Sequence, residues 1–179
     1  PYYFYHGSPE KNLRMKKNEV ILEKSCDERS LLQKLSVWRF HNKKIIFTNG
    51  CFDILHKGHA WLLNKANGLE DNAVLIIGLN SDASVKRLKG ESRPINTVED
   101  RALLLASLYA VDAVIIFEED TPDQLIKMIN PDVLVKGGDY NADEIVGADT
   151  MKLNGGKVII IPYLENYSTS KTINQLADQ

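Results

Sequence analysis

Five short apolar runs constrain the fold of this chain more than any other feature. They are Ile45-Ile46-Phe47, Val74-Leu75-Ile76-Ile77-Gly78-Leu79, Val114-Ile115-Ile116-Phe117, Val133-Leu134-Val135 and Val158-Ile159-Ile160-Ile161. Each is continuous rather than alternating, so a strand built from it needs cover on both faces. Helical patterns lie between them. One covers about 97–110, with Asn96 or Thr97 as cap and Glu99 and Asp100 in its first turn. Another opens at Thr121-Pro122 and stops before Asn130-Pro131. A weaker one covers about 142–153 and ends at Asn154-Gly155-Gly156, and the last runs from Ser168-Thr169-Ser170 to about Ala177. Ahead of the first run, Asp27 to Phe40 places Leu31, Leu32, Leu35 and Trp38 on one helical face. Strand alternating with helix predicts an α/β domain with a doubly wound five-stranded parallel sheet. Residues 27–179 read as that single domain, with helix 27–40 leading into the sheet. Residues 1–26 read as an N-terminal extension of unassigned role, aromatic at Tyr2 to Tyr5 and basic at Lys11, Arg14, Lys16 and Lys17.

In such sheets ligands sit beyond the carboxyl ends of the strands, where the strand order reverses. The first run passes into Thr48-Asn49-Gly50-Cys51-Phe52-Asp53-Ile54-Leu55-His56-Lys57-Gly58-His59 and then into the helical pattern Ala60 to Ala66. A strand, a glycine turn and basic groups at a helix N-terminus suit a phosphate. After the second run come Asn80-Ser81-Asp82 and a cationic stretch with Lys86, Arg87, Lys89, Gly90 and Arg93. After the fourth comes Lys136-Gly137-Gly138-Asp139-Tyr140, and after the fifth Glu165 to Lys171.

Charge narrows the partners. The net charge of −2 gives no global basic field, so nucleic acid is not expected, while a local cationic pocket for a small phosphorylated ligand is. Two cysteines, Cys26 and Cys51, make no disulfide framework and fit a reducing cytoplasm. No apolar run approaches the roughly 18 residues that span a bilayer, so neither a membrane nor a secretory signal is expected. A homo-oligomer is compatible with the sequence. A zinc site is the rival use of His56 and His59, but no third His, Cys or acid stands at a telling spacing; His6 and His41 lie in other contexts. No metal is expected on protein side chains.

Thr48-Asn49-Gly50-Cys51-Phe52-Asp53 with His56-Lys57-Gly58-His59 resembles the signature of the cytidylyltransferase-like nucleotidyltransferases, which have a Rossmann-like fold. Asn80 to Gly90, Arg93-Pro94-Ile95-Asn96 and Val135 to Tyr140 add a narrower resemblance. Together they are similar to the D-glycero-β-D-manno-heptose 1-phosphate adenylyltransferases, stand-alone or as one half of a bifunctional enzyme. The resemblance runs from about Val37 to Leu176 and implies the transfer step alone: ATP plus the sugar 1-phosphate giving ADP-heptose and pyrophosphate, in lipopolysaccharide or other glycan biosynthesis. It implies His56 and His59 as catalytic donors to the phosphates. It implies ATP contacts from Thr48, Asn49, Gly50, Cys51, Phe52, Gly58, Lys136, Gly137 and Asp139, with Ser168, Thr169 and Ser170 on the β- and γ-phosphates. Asp53, Asn80, Asp82, Arg87, Lys89 and Arg93 are the weaker candidates for the acceptor or its phosphate. Of these, Asp53 reads better as orienting its loop than as a base. Mg²⁺ is expected to ride on the triphosphate. Glycerol phosphate-activating relatives often carry an arginine before the serine-threonine cluster; Glu165-Asn166-Tyr167 stands here instead, with Lys171 a substitute cation. The alternatives are a CTP-dependent transferase for glycerol phosphate or ethanolamine phosphate, and a nucleotide-binding paralogue without turnover.

Overall fold

The apolar runs split their side chains between two cores. In a computed structural model, which describes residues 19–139, 141, 144–164 and 167, Ile45 and Phe47 pack into one buried cluster and Ile46 into another. Val74 and Ile76 likewise face one way and Leu75, Ile77 and Leu79 the other. This is the two-residue period of a strand covered on both sides.

In chain order the elements are β1 (Ser25–Cys26), α1 (Glu28–Phe40), β2 (Lys44–Gly50), α2 (Lys57–Asn67), β3 (Ala73–Asn80) and α3 (Asp82–Lys89). There follow α4 (Val98–Ala106), β4 (Ala113–Phe117), α5 (Asp123–Ile129), β5 (Val133–Gly137), α6 (Ala148–Leu153) and β6 (Lys157–Ile161). The strands form one sheet in the order β1-β4-β3-β2-β5-β6, and every pairing is parallel. Successive strands step from β2 through β3 to β4, then reverse to β5 and β6 on the other side of β2. The switch point therefore lies between β2 and β5, which pair through Ile46 with Val133 and Phe47 with Leu134.

The sheet has six strands where the apolar runs predict five. The extra one, Ser25–Cys26, has no apolar run and exists through pairing with Val114 and Ile115. It falls inside the stretch 1–26 set apart as an extension. The second difference is α3, which the sequence reads as a charged stretch. Ser81 caps it by accepting from the Ser84 N–H at 3.2 Å, and only Ser84 and Val85 are buried.

Helix boundaries shift for physical reasons. In α1, Asp27 Oδ1 accepts from the Ser30 N–H at 2.8 Å, and Leu31 and Leu35 are buried while Leu32 is 43% exposed. Helix α4 is capped by Thr97 and ends at Ala106 rather than near 110. Pro122 is the cap of α5 rather than its first residue, and Asn130 ends that helix in the left-handed region at φ 47°. Helix α6 starts only at Ala148, after Gly147 at φ 93°. The helix expected from Ser168 onward lies outside the described residues.

Candidate functional site

Helix α2 begins where the loop after β2 ends, with His56 as its cap residue and His59 in its first turn. Two residues three apart on a helix start lie on one face, and here the rings stack: the imidazole centroids are 3.8 Å apart and the planes 18° from parallel. Gly58 makes this packing possible. A Cβ on it would lie 3.0 Å from Cε1 and Nδ1 of His56 and 3.2 Å from Cβ of Tyr167. Phe52 backs the pair from the loop, its ring 5.2 Å from His59 and its backbone in the left-handed region at φ 45°.

Burial sets the charge state of the pair. Loss of hydration pushes His59 down to about 4, helped by His56 beside it, and His56 is lowered too, chiefly by burial. Both rings are neutral at pH 7. Their Nδ1 atoms and the Thr48 hydroxyl are buried polar atoms with no hydrogen-bond partner among the described residues. Three such atoms within twelve residues are unusual, since buried polar groups are otherwise nearly always paired, and they leave hydrogen-bonding capacity that a polar ligand could use.

Across the switch point, Lys136 on β5 reaches Asn49 on β2 and donates to its Oδ1. Burial lowers the ammonium to about 8, and among the described residues no carboxylate pairs with it. A cation held out of water without an anion is a receptor for one. Gly137 lets β5 approach α2: a Cβ there would sit 3.0 Å from Cδ2 of Leu62. Asp139 follows at an exposed position. Gly50 closes β2, Cys51 is half-buried and Phe52 is buried. Burial raises the Cys51 thiol above its ordinary value, so it is protonated and not a nucleophile.

Asp53 is engaged on several sides by the loop 93–96. Its carboxylate is buried and accepts from Arg93 Nε at 2.5 Å, from the Ile95 N–H at 2.7 Å and from the Asn96 N–H at 3.0 Å. Its own carbonyl accepts from Asn96 Nδ2 at 2.6 Å. The loop 93–96 is thereby tied to the loop after β2.

The remaining acceptor candidates divide. Asn80 is buried and donates to Ser84 Oγ at 3.0 Å. Arg87 turns outward to Asp120 Oδ1 at 2.7 Å and the Glu118 carbonyl at 2.5 Å. Lys89 is exposed at the end of α3. Asp82 binds Arg101 Nη2 at 2.7 Å. Arg101 itself, fully buried on α4, was not singled out from the sequence. The signal was its place on the inner face with Ala102 and Leu105, where an arginine needs several partners. Ser168, Thr169 and Ser170 lie outside the described residues; Tyr167 just before them lies beside His56, their rings 6.4 Å apart. No group of three or more His, Cys, Asp or Glu side chains is gathered for a metal among the described residues. No described helix is long and apolar enough to cross a membrane.

Residues 47–175 match the family model described as cytidylyltransferase-like. The chain belongs to the cytidylyltransferase-like family of nucleotidyltransferases. Among relatives of this cytidylyltransferase-like chain, the bifunctional protein HldE of Wolinella succinogenes is 55% identical over 149 residues, covering 83% of this chain and 30% of that protein. The HldE of a Nitratiruptor species is 59% identical over 134 residues, covering 75% and 28%. The chain thus spans less than a third of the length of these two relatives. A solved structure of a lipopolysaccharide core biosynthesis protein from Thermoplasma volcanium superposes with a TM-score of 0.56 at 28% identity, covering 70% of this chain and 98% of that one.

Proposed function

We propose that this chain is an adenylyltransferase that moves AMP from ATP to D-glycero-β-D-manno-heptose 1-phosphate, giving ADP-heptose and pyrophosphate. The observation that carries the proposal is the stacked pair of neutral histidines whose Nδ1 atoms lack partners among the described residues, beside the switch point. The motif resemblance at Asn80 to Gly90, Arg93 to Asn96 and Val135 to Tyr140 supplies the substrate, and high identity to HldE proteins over most of this chain agrees with it.

In the proposed reaction an oxygen of the sugar phosphate attacks the α-phosphorus of ATP in line. A new P–O bond forms there, the bond to the β-phosphate bridge breaks, and its electron pair leaves with pyrophosphate. Such transfers depend on positioning and on stabilising charge at the phosphoryl oxygens. His56 and His59 are the donors in this scheme, His59 nearest the α-phosphoryl oxygens. A phosphate against Nδ1 favours the protonated ring, so nucleotide binding raises both histidines from their lowered values. Lys136 adds a cation from β5, and Thr48, Asn49 and the loop backbone complete the nucleotide contacts. Tyr167 beside Gly58 supports the assignment of Ser168, Thr169 and Ser170 to the β- and γ-phosphates.

No general base is needed, because the attacking phosphate is already ionised at neutral pH. That agrees with Asp53 being committed to the 93–96 loop. The donors that meet here are imidazole nitrogens and an ammonium, which do not suit Mg²⁺; the ion enters on the triphosphate and neutralises its charge. Lys89 and the guanidinium of Arg93 are the cations proposed for the acceptor phosphate.

The test is pyrophosphate release with ATP and with CTP against heptose 1-phosphate, glycerol phosphate and ethanolamine phosphate. Release with ATP and heptose 1-phosphate is expected. Turnover with CTP alone would replace the assignment by the cytidylyltransferase reading. ATP binding without release for any acceptor would make this a non-catalytic paralogue.

A further inference from the structure

Arg101 has the side chain with the most polar partners in the described structure, yet it is wholly shielded from solvent. Its Nε donates to the Asn96 carbonyl at 3.2 Å. Its Nη1 donates to the carbonyls of Cys51 at 2.6 Å and Asn80 at 2.9 Å, and its Nη2 to Asp82 Oδ1 at 2.7 Å. These partners belong to four pieces of chain: the loop after β2, the end of β3, the start of α3 and the loop 93–96. A planar fork of five donors can hold four directions at once, which the point charge of a lysine cannot.

Two consequences reach the histidines and the acceptor side. The Cys51–Phe52 peptide is trans. In a trans peptide the carbonyl and the following N–H point in opposite directions. With the Cys51 carbonyl held by Arg101, the Phe52 N–H faces away from the guanidinium. The ring of that same Phe52 lies against His59. Asn96, for its part, is held from both sides: its carbonyl by Arg101, its N–H and Nδ2 by Asp53. The loop after β2 and the loop 93–96 therefore share one buried anchor.

We infer that Arg101 is a positioning residue for adenylyl transfer, acting through Cys51 and Phe52 on His59 and through Asn96 on the 93–96 loop. It is wholly buried beneath the loop. The inference rests on the nucleotidyltransferase reading for its effect on rate, and on the geometry alone for its effect on His59.

The experiment compares the wild type with Arg101→Lys, reading kcat, the KM for ATP, the melting temperature and the titration of the His59 ring by NMR. Arg101→Lys is expected to lower kcat by about 10- to 100-fold, the scale for misplacing a reacting group. The His59 midpoint is expected to move up by about half a pH unit or more as its backing loosens. An unaltered His59 titration, with kcat per folded molecule equal to wild type, would reduce Arg101 to a stabilising residue and overturn the inference. Should Arg101→Lys fail to fold, Asp82→Ala frees one arm of the fork from its half-exposed end. The same His59 shift supports the inference, whereas a change confined to the acceptor KM overturns it by assigning Asp82 to the acceptor. The titration needs no turnover. A wild type that releases no pyrophosphate from any nucleotide therefore overturns the proposed function, while the His59 comparison still decides the role of Arg101.

Discussion

The imidazoles of His56 and His59 stack face to face at 3.8 Å, in a site that half-buries both. Two imidazolium ions at that separation repel, so the stack is compatible with neutral rings and with one proton added when an anion arrives. Their role toward phosphate and their part in packing can be separated by experiment.

His59→Ala is expected to lower kcat by roughly 10²–10³, the scale for removing one donor to a developing oxyanion. Steady-state pyrophosphate release, with ATP affinity measured in parallel, provides the check. A fall of less than about tenfold at unchanged affinity would remove His59 from the transition state.

The lowered histidines also make stability depend on pH. A histidine whose folded value lies near 4 and whose unfolded value is near 6.5 is neutral in both states at pH 7, so no difference arises there. As pH falls from 6.5 towards 4, the unfolded chain binds the proton first and gains relative to the folded one. Urea midpoints are expected to decline through that window and to stop declining from this source below it. His56→Gln/His59→Gln should flatten the decline, and a variant retaining the wild-type slope would place its origin elsewhere.

Lys136 gives a dependence of the same sign at higher pH. Its folded value near 8 lies below the ordinary lysine value of 10.5, so between those limits the unfolded chain holds more protons and stability rises with pH. Lys136→Met removes an uncompensated buried charge. It is expected to leave the protein at least as stable as wild type at pH 7 while weakening ATP binding by about tenfold or more. Calorimetric titration with ATP and urea unfolding at pH 7 and 9 decide the matter. Unchanged ATP affinity would remove Lys136 from the nucleotide site.

The sheet was legible because its strands are buried on both faces and so carry uninterrupted β-branched runs. Strand Ser25–Cys26 was not, because two residues without an apolar pattern become a strand only when Val114 and Ile115 are there to pair with. Helix α3 hid behind its charges, although Ser81 and Asp82 form an ordinary helix start. At the site, the loop from Thr48 to His59 could be read because its parts are adjacent in sequence. Contacts made across the fold could not be read in that way: Asp53 meets Arg93 and Asn96 some forty residues on, and Arg101 reaches back fifty to Cys51. Periodicity assigns a face to Arg101 but no partner.

Asp53 offers the sharpest separation of structure from chemistry. Its carboxylate satisfies Arg93 and two backbone N–H groups in a buried setting. Asp53→Ala leaves all three without their acceptor and is expected to cost about 3–5 kcal/mol of stability, the range for breaking one side of a buried charge pair. Asp53→Asn keeps an acceptor oxygen in place and should cost less. Were Asp53 a base in the reaction, the Asn variant would lose turnover far out of proportion to its stability. Because the attacking phosphate is already ionised, kcat per folded molecule of Asp53→Asn is expected to stay within about tenfold of wild type. Urea unfolding and active-site-normalised kcat on the same preparation distinguish the two roles. A well-folded Asn variant with turnover reduced a thousandfold or so would return Asp53 to the chemistry.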